Sequence, residues 1–270
     1  MIRLAVRVAR ADAEAVLAEL LPLAPGGLAE RDAGDAVEYV LYGAAGELPD
    51  VGALRVAAGA ALVEVSSSVL PDEDWTERWK DFHAPIDAVG RAGAVRVRPP
   101  WAEPRADALD LVIEPGQAFG TGAHATTRLC LELLLGLEPG GALADWGCGS
   151  GVLAVAAARL GYAPVLACDH DPRAVEATTH AAAANGATVA VRRVDLRRAP
   201  GPSAPTVCAN LIGPLLHEVA ARLERPPRRL IASGLLDAEA DAIVAAFAAY
   251  GLRERSRRSA DGWSALLLGR

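Results

Sequence analysis

Residues 142–161, ALADWGCGSGVLAVAAARLG, decide the fold. A short apolar run ends at the acid Asp145, glycines follow at 147, 149 and 151, and an alanine-rich segment with helical propensity starts at Val152. This is a strand, a tight loop and a helix. Missing side chains let the loop backbone approach a ligand closely, and the free amides of the helix start offer donors and a positive dipole end. A dinucleotide fingerprint would place its third glycine at 152, where Val152 stands; here the glycines are spaced by two.

Outward from this loop, strand-like and helix-like runs alternate. PVLACD, PRAVEATTHAAAANG, TVAVRRVD, TVCANLI, PLLHEVAARL and RRLIASGLL follow in turn. Such alternation predicts a parallel sheet with helices on both faces. LRERSRRSADGWSALLLGR closes the chain as a hairpin about Asp261 and Gly262. The expected fold class is α/β, a Rossmann-like seven-stranded domain over 106–270. Toward the N-terminus the order reads βαββαβ, so a small α+β, ferredoxin-like domain is expected at 1–66. Residues 67–105, with Trp75, Trp79 and Trp101 and several prolines, read as a linker. Trp75 and Trp79 stand at i, i+4 and would share one helix face.

A βαββαβ order also occurs in RNA-recognition domains, which stack bases on clustered sheet aromatics. Tyr39 and Tyr42 lie three apart in one strand and must face opposite ways, so that reading is set aside. The net charge of −7 opposes nonspecific attraction to phosphates unless a local basic patch overrides it. No direct nucleic-acid binding is expected. The cysteines at 130, 148, 168 and 208 are widely spaced and read as reduced thiols in a cytoplasm. No stretch reaches the ~20 uncharged apolar residues of a membrane helix, and the early Asp12 and Glu14 argue against a signal peptide. The five histidines show no ligand spacing, so no metal is expected. A monomer is the expected state.

Candidate site residues follow from the same frame. Asp169 ends the strand after the glycine loop, 22 positions beyond Gly147, where a carboxylate can accept from both hydroxyls of a ribose. That spacing alone also fits a nicotinamide cofactor. Asp195 closes the next strand and either contacts an adenine amino group or caps a turn. Asn210 follows the apolar run TVCA on the carboxyl edge of the sheet, where such sheets bind ligands. PGQAFGTG, with Phe119, Gly120 and Thr121, reads as a glycine-rich loop able to fold over a ligand, and Thr126 and Thr127 begin the helix after it.

The DxGxGxG form of Asp145–Gly151 resembles the first motif of S-adenosylmethionine methyltransferases. EPGQAFGTGAHATTRLCLELL at 114–134, together with DWGCGSG, CDHDPRAVEA and ANLIGPL, resembles the family of ribosomal protein L-eleven methyltransferases, whose hallmark is AFGTGxHxTT. The resemblance covers roughly residues 70–236. It implies S-adenosyl-L-methionine as cofactor, contacted by Thr127, Gly147, Asp169 and Asn210, with Gly149, Phe119, Gly120, Thr121 and Asp195 beside them. It implies methylation of lysine side chains and the N-terminal amine of ribosomal protein L-eleven, with Asn210 as the catalytic residue and the small domain presenting the substrate. The usual NILAxPL appears here as NLIGPL, one residue shorter, which leaves Gly213 and Pro214 open as substrate contacts. The alternatives are a related methyltransferase of another protein or a small amine, a nicotinamide oxidoreductase and a non-catalytic binding module.

Overall fold

The structure is a computed structural model and describes residues 2–20, 23, 29–43, 48–69, 84–115 and 125–270. Its contacts divide the chain into two units, residues 1–82 and 83–270.

In the first unit β1 (Ile2–Ala9), α1 (Ala13–Leu20), β2 (Ala29–Ala33), β3 (Ala36–Gly43), α2 (Val51–Ala58) and β4 (Leu62–Val69) follow in the βαββαβ order read from the sequence. The sheet runs β2-β3-β1-β4 with every neighbour antiparallel. Leu4, Val6 and Val8, alternate residues of β1, meet Val16 and Leu20 of α1 and Leu54 of α2 in one apolar core. Asp50 caps α2 by accepting from the Ala53 amide at 2.9 Å. Tyr39 is only 1% exposed and its hydroxyl donates to the Ala13 carbonyl at 2.8 Å. It is a core residue whose polar end is satisfied, not a stacking platform.

The second unit contains β5 (Ile86–Gly90), β6 (Gly93–Arg98), β7 (Leu109–Val112), α3 (Ala125–Leu135), β8 (Leu143–Trp146), α4 (Val152–Leu160), β9 (Val165–Asp169), α5 (Pro172–Ala184) and β10 (Val189–Arg193). It continues with β11 (Thr206–Asn210), α6 (Gly213–Ala221), β12 (Arg229–Leu236), α7 (Ala240–Ala248), β13 (Arg253–Ala260) and β14 (Trp263–Gly269). The main sheet runs β10-β9-β8-β11-β12-β14-β13. Its first five strands are parallel, and β14 lies antiparallel between β12 and β13. The closing hairpin turns at Asp261 (φ +55°) and Gly262 (φ +79°), the paired left-handed residues of a tight hairpin turn.

Alternation along the strands sends side chains to two cores. Leu143, Cys208, Ile231 and Ala265 join α3 and α4 on one face; Ala144, Ala209, Leu230 and Leu266 join α6 and α7 on the other. This two-sided burial explains the near-continuous apolar strands. The chain leaves β8 outward to β9 and β10, then returns to β11 on the opposite side of β8. Strand order therefore reverses between β8 and β11, and a crevice opens at their carboxyl ends.

One expectation is corrected. Part of 67–105, read as linker, is folded sheet: β5 and β6 form an antiparallel hairpin and β6 pairs in parallel with β7. Gly90 packs so close to α3 that an added Cβ would lie 2.5 Å from Leu135 Cβ. Asn185, just past α5, clamps β7 by accepting from the Val112 amide (2.8 Å) and donating to its carbonyl (2.7 Å). Trp75 and Trp79 lie outside the described residues.

Candidate functional site

The glycine loop is held by backbone geometry. Gly147, Gly149 and Gly151 have φ of +74°, +52° and +84°, a region costly for side-chain-bearing residues. Space imposes the same demand, since an added Cβ would lie 2.3 Å from Leu211 Cδ2 at Gly147 and 2.8 Å from Thr178 Cα at Gly151. The amides of Gly147 and Cys148 both donate to the Cys168 carbonyl, at 2.8 and 3.0 Å, tying the loop to β9. Asp145 turns inward beneath the loop and accepts from the Ala154 amide in the first turn of α4 at 3.0 Å. Burial, and next the charge of Asp169, push its carboxyl up to about 7.

Around this loop a cavity of about 320 Å³ opens at the carboxyl edge of the sheet. It lies within the size range of small-ligand sites. Thr127, Gly147, Gly149, Asp169, Asp195 and Asn210, all predicted from the sequence, line it together. Phe119, Gly120 and Thr121, and His124 after them, lie outside the described residues.

Asp169 ends β9 and is 9% exposed. One carboxylate oxygen accepts from the Gly149 amide at 3.1 Å; the other accepts from the Asp171 amide at 3.0 Å and lies 3.2 Å from His170 Nδ1. Fixed donors therefore orient the carboxylate, and its lone pairs outnumber them. Asp195 does not close a strand, because β10 ends at Arg193. It accepts from the Arg197 amide at 3.0 Å and so caps the following turn at the cavity wall. Asn210 is the last residue of β11, and its Nδ2 donates to Thr126 Oγ1 at 3.3 Å, while its Oδ1 meets no donor among the described residues. Thr126 lies inside the first described turn of α3, not at its cap. The Thr127 hydroxyl is buried and has no hydrogen-bond partner among the described residues.

Several lining residues escape the sequence reading. Trp263 arrives from β14, while Ile212 and Leu215, rather than Gly213 and Pro214, bring the NLIGPL segment to the cavity. Gly234 interrupts β12 at a bulge between Ser233 and Leu235, with φ +81°. A Cβ there would lie 2.4 Å from the Leu211 carbonyl oxygen. The glycine inside IASGLL is the signal for this close approach. Among the described residues no cluster of His, Cys, Asp and Glu could hold a metal ion. The four thiols are buried, and burial raises each of them, Cys130 and Cys168 to about 12, so they serve as inert core groups.

Comparisons with known proteins agree with this architecture. A family model described as ribosomal protein L11 methyltransferase (PrmA) matches residues 51–270. The ribosomal protein L11 methyltransferase of Symbiobacterium thermophilum is 40% identical over 203 residues, which cover 73% of this chain and 66% of that protein. The protein of the same name from Pelotomaculum thermopropionicum is 42% identical over 211 residues, 75% of this chain and 67% of that protein. The chain thus spans about two thirds of the length of these relatives. A crystal structure of ribosomal protein L11 methylase from Lactobacillus delbrueckii subsp. bulgaricus aligns with a TM-score of 0.60 at 27% identity, covering 70% of this chain and 99% of that one. The seven-stranded sheet is the Rossmann-like fold of class I methyltransferases.

Proposed function

This chain belongs to the ribosomal protein L11 methyltransferase family, and we propose that it moves methyl groups from S-adenosyl-L-methionine to amines of ribosomal protein L11, the lysine side chains and the N-terminal amine. One observation carries the proposal. Asp169, Thr127 and Asn210 come from three different elements and converge on one cavity beside a loop whose Gly147 and Gly151 leave no room for a Cβ.

The donor set fits the cofactor. Asp169 offers carboxylate lone pairs to a ribose diol, and the Thr127 hydroxyl, without a partner among the described residues, offers a donor to a carboxylate at the start of α3. Gly147 and Gly149 leave room for close approach, and Asp195 stands where it can accept from an adenine amino group. When bound, the cofactor supplies an electrophilic methyl on a sulfonium.

The residues then act on the amine. Asn210 Oδ1 accepts its N–H, while the Thr126 bond holds the amide plane, so the nitrogen lone pair is aimed before reaction. A lysine amine of ordinary pKa about 10.4 must be neutral to attack. Leu211, Ile212 and Leu215 beside Asn210 penalise its charged form and lower that barrier. No general base is assigned. Residues 1–66 are proposed to recognise the protein substrate.

The test is transfer of labelled methyl from the cofactor to purified ribosomal protein L11, with titration calorimetry on the same protein. Labelling of L11, heat for S-adenosylmethionine but none for a nicotinamide, and cofactor affinity lowered about a hundredfold by Asp169→Ala are expected, as two charged hydrogen bonds are lost. An Asp169→Ala protein binding as tightly as the parent would remove the ribose assignment. Nicotinamide heat without cofactor heat would end the proposal.

A further inference from the structure

The opposite, amino-terminal edge of the same sheet carries a second cleft, of about 540 Å³, lined by Arg228, Arg229, Arg255 and Arg270 over a floor that includes Leu267, Leu268 and Gly269. Three features gather cations at this edge, the lining arginines and Arg253 beside them. Arg229 on β12 and Arg253 on β13 both pair in register with Gly269 on β14, so they stand in one cross-strand row with no side chain between them. Two strand spacings put their backbones about 10 Å apart. The edge strand β13 bulges between Glu254 and Ser256, and the extra residue is Arg255. Bulges re-aim side chains. This one lays Arg255 over Gly269, where an added Cβ would sit 3.3 Å from Arg255 Cγ and 3.4 Å from its Nε.

The nearby acids are engaged elsewhere. Both Glu254 oxygens, at 3.1 and 2.7 Å, and Asp241, at 2.6 Å, go to Arg257. The Glu138 carboxylate pairs with Arg91. Within the cleft the side chains of Arg229 and Arg270 reach, among the described residues, only backbone carbonyls, of Glu138 at 3.4 Å and Tyr250 at 3.5 Å. Arg228, Arg255 and Arg270 are exposed, and the lining contains no Asp or Glu side chain. Positive charge thus concentrates on one edge of a chain whose net charge is −7.

We infer that this edge is a docking surface for the phosphodiester backbone of RNA. Cations on β12 and β13 and just past the end of β14 together exceed the reach of one phosphate and suit a chain of them. Planar guanidinium forks match phosphate oxygens, and the lining holds no aromatic side chain to read bases. An acidic peptide adding to the edge of β13 would need a regular ladder, which the bulge at Arg255 interrupts. A net negative charge disfavours nucleic acid only where no local basic patch overrides it, and this edge is such a patch. The surface lies at the beginning of β12, whereas Asn210 pairs with Ser233 further along the strand, so bound RNA leaves the cavity open.

Fluorescence polarisation of a labelled short oligouridylate on the full chain, across roughly 50 to 200 mM salt, tests this without cofactor or methyl transfer. Four phosphate contacts predict a log–log salt slope of about −3. Arg228→Ala/Arg255→Ala should weaken binding at least about tenfold at low salt and roughly halve the slope. Arg55→Ala/Arg192→Ala, which removes the same charge from exposed sites elsewhere, should change it by no more than about twofold, with melting temperatures of all three proteins alike. Equal weakening by the two double variants, absence of binding at low salt, or displacement of the RNA by polyglutamate or by millimolar inorganic phosphate would overturn the inference.

Discussion

The two edges of the seven-stranded sheet both gather charged or polar side chains, and they hold them in opposite ways. At the carboxyl edge Asp145, Asp169, Asn210 and Thr127 are buried or half-buried, and backbone amides or a neighbouring hydroxyl orient the first three. At the amino edge Arg228, Arg255 and Arg270 stay in water. Burial without full compensation is costly, and it persists where groups must be in place before a reaction begins. Exposed cations adapt to a partner and act through their field. The proposed roles follow this difference, chemistry at the first edge and attraction at the second.

The largest effect that could break this contrast is on Asn210. Removing the oriented acceptor proposed to face the reacting amine should lower kcat by about 10²- to 10³-fold. Asn210→Ala measured by single-turnover methyl transfer should show that loss, while the Arg228→Ala/Arg255→Ala protein transfers methyl to free substrate at the parental rate. If both variants lost activity equally, the division of labour between the edges would be wrong.

Asp145 sharpens the comparison through pH. Its folded-state carboxyl is raised to about 7, above an unfolded value near 3.9, so folding favours the protonated form. The associated stability is fully present below about pH 4 and is lost as pH rises through 7, at most on the order of 4 kcal/mol. Asp145→Asn retains an acceptor for the Ala154 amide and cannot ionise. Thermal melts from about pH 5 to 8 should therefore show a downward slope in the parent and a flatter one in the variant, with the variant several degrees more stable at the upper end. Parallel slopes would mean that the carboxyl stays ionised throughout. Exposed arginines at the amino edge carry no comparable penalty, and their removal leaves the slope unchanged.

How far each edge could be read from sequence follows from the range of the interactions that make it. The carboxyl edge is written in local signals: DWGCGSG in one turn, Asp169 and Asn210 each at the end of an apolar strand. Alternation gave the two-faced sheet and Asp261–Gly262 the closing hairpin. Trp263 and Gly234 were not legible as lining, because they reach the cavity through the pairing of β12 with β14 and through a bulge. The strands at 86–98 were hidden for a related reason. IDAVG and GAVRVR are short and rich in small residues, and they depend on packing against α3. The arginine cleft was least legible, since it needs three strands in register, one bulge and one glycine to collect residues 41 positions apart, from Arg229 to Arg270.

The smallest effect discriminates most finely between a structural and a functional polar group. Thr127 buries a hydroxyl with no hydrogen-bond partner among the described residues, and such a group costs about 1 kcal/mol or more relative to one that is satisfied. Valine has nearly the same shape and no hydroxyl. Thr127→Val should therefore leave the melting temperature unchanged or raise it slightly, because a desolvated donor is removed from the folded state. Cofactor affinity should move the other way, falling about tenfold in calorimetry, because the donor proposed for the cofactor carboxylate is gone. Thr127→Ser, which keeps the hydroxyl, should restore most of that affinity. A valine variant that both melts lower and binds equally well would make Thr127 a packing residue of α3, and the carboxyl edge would lose one of the three groups on which its assignment rests.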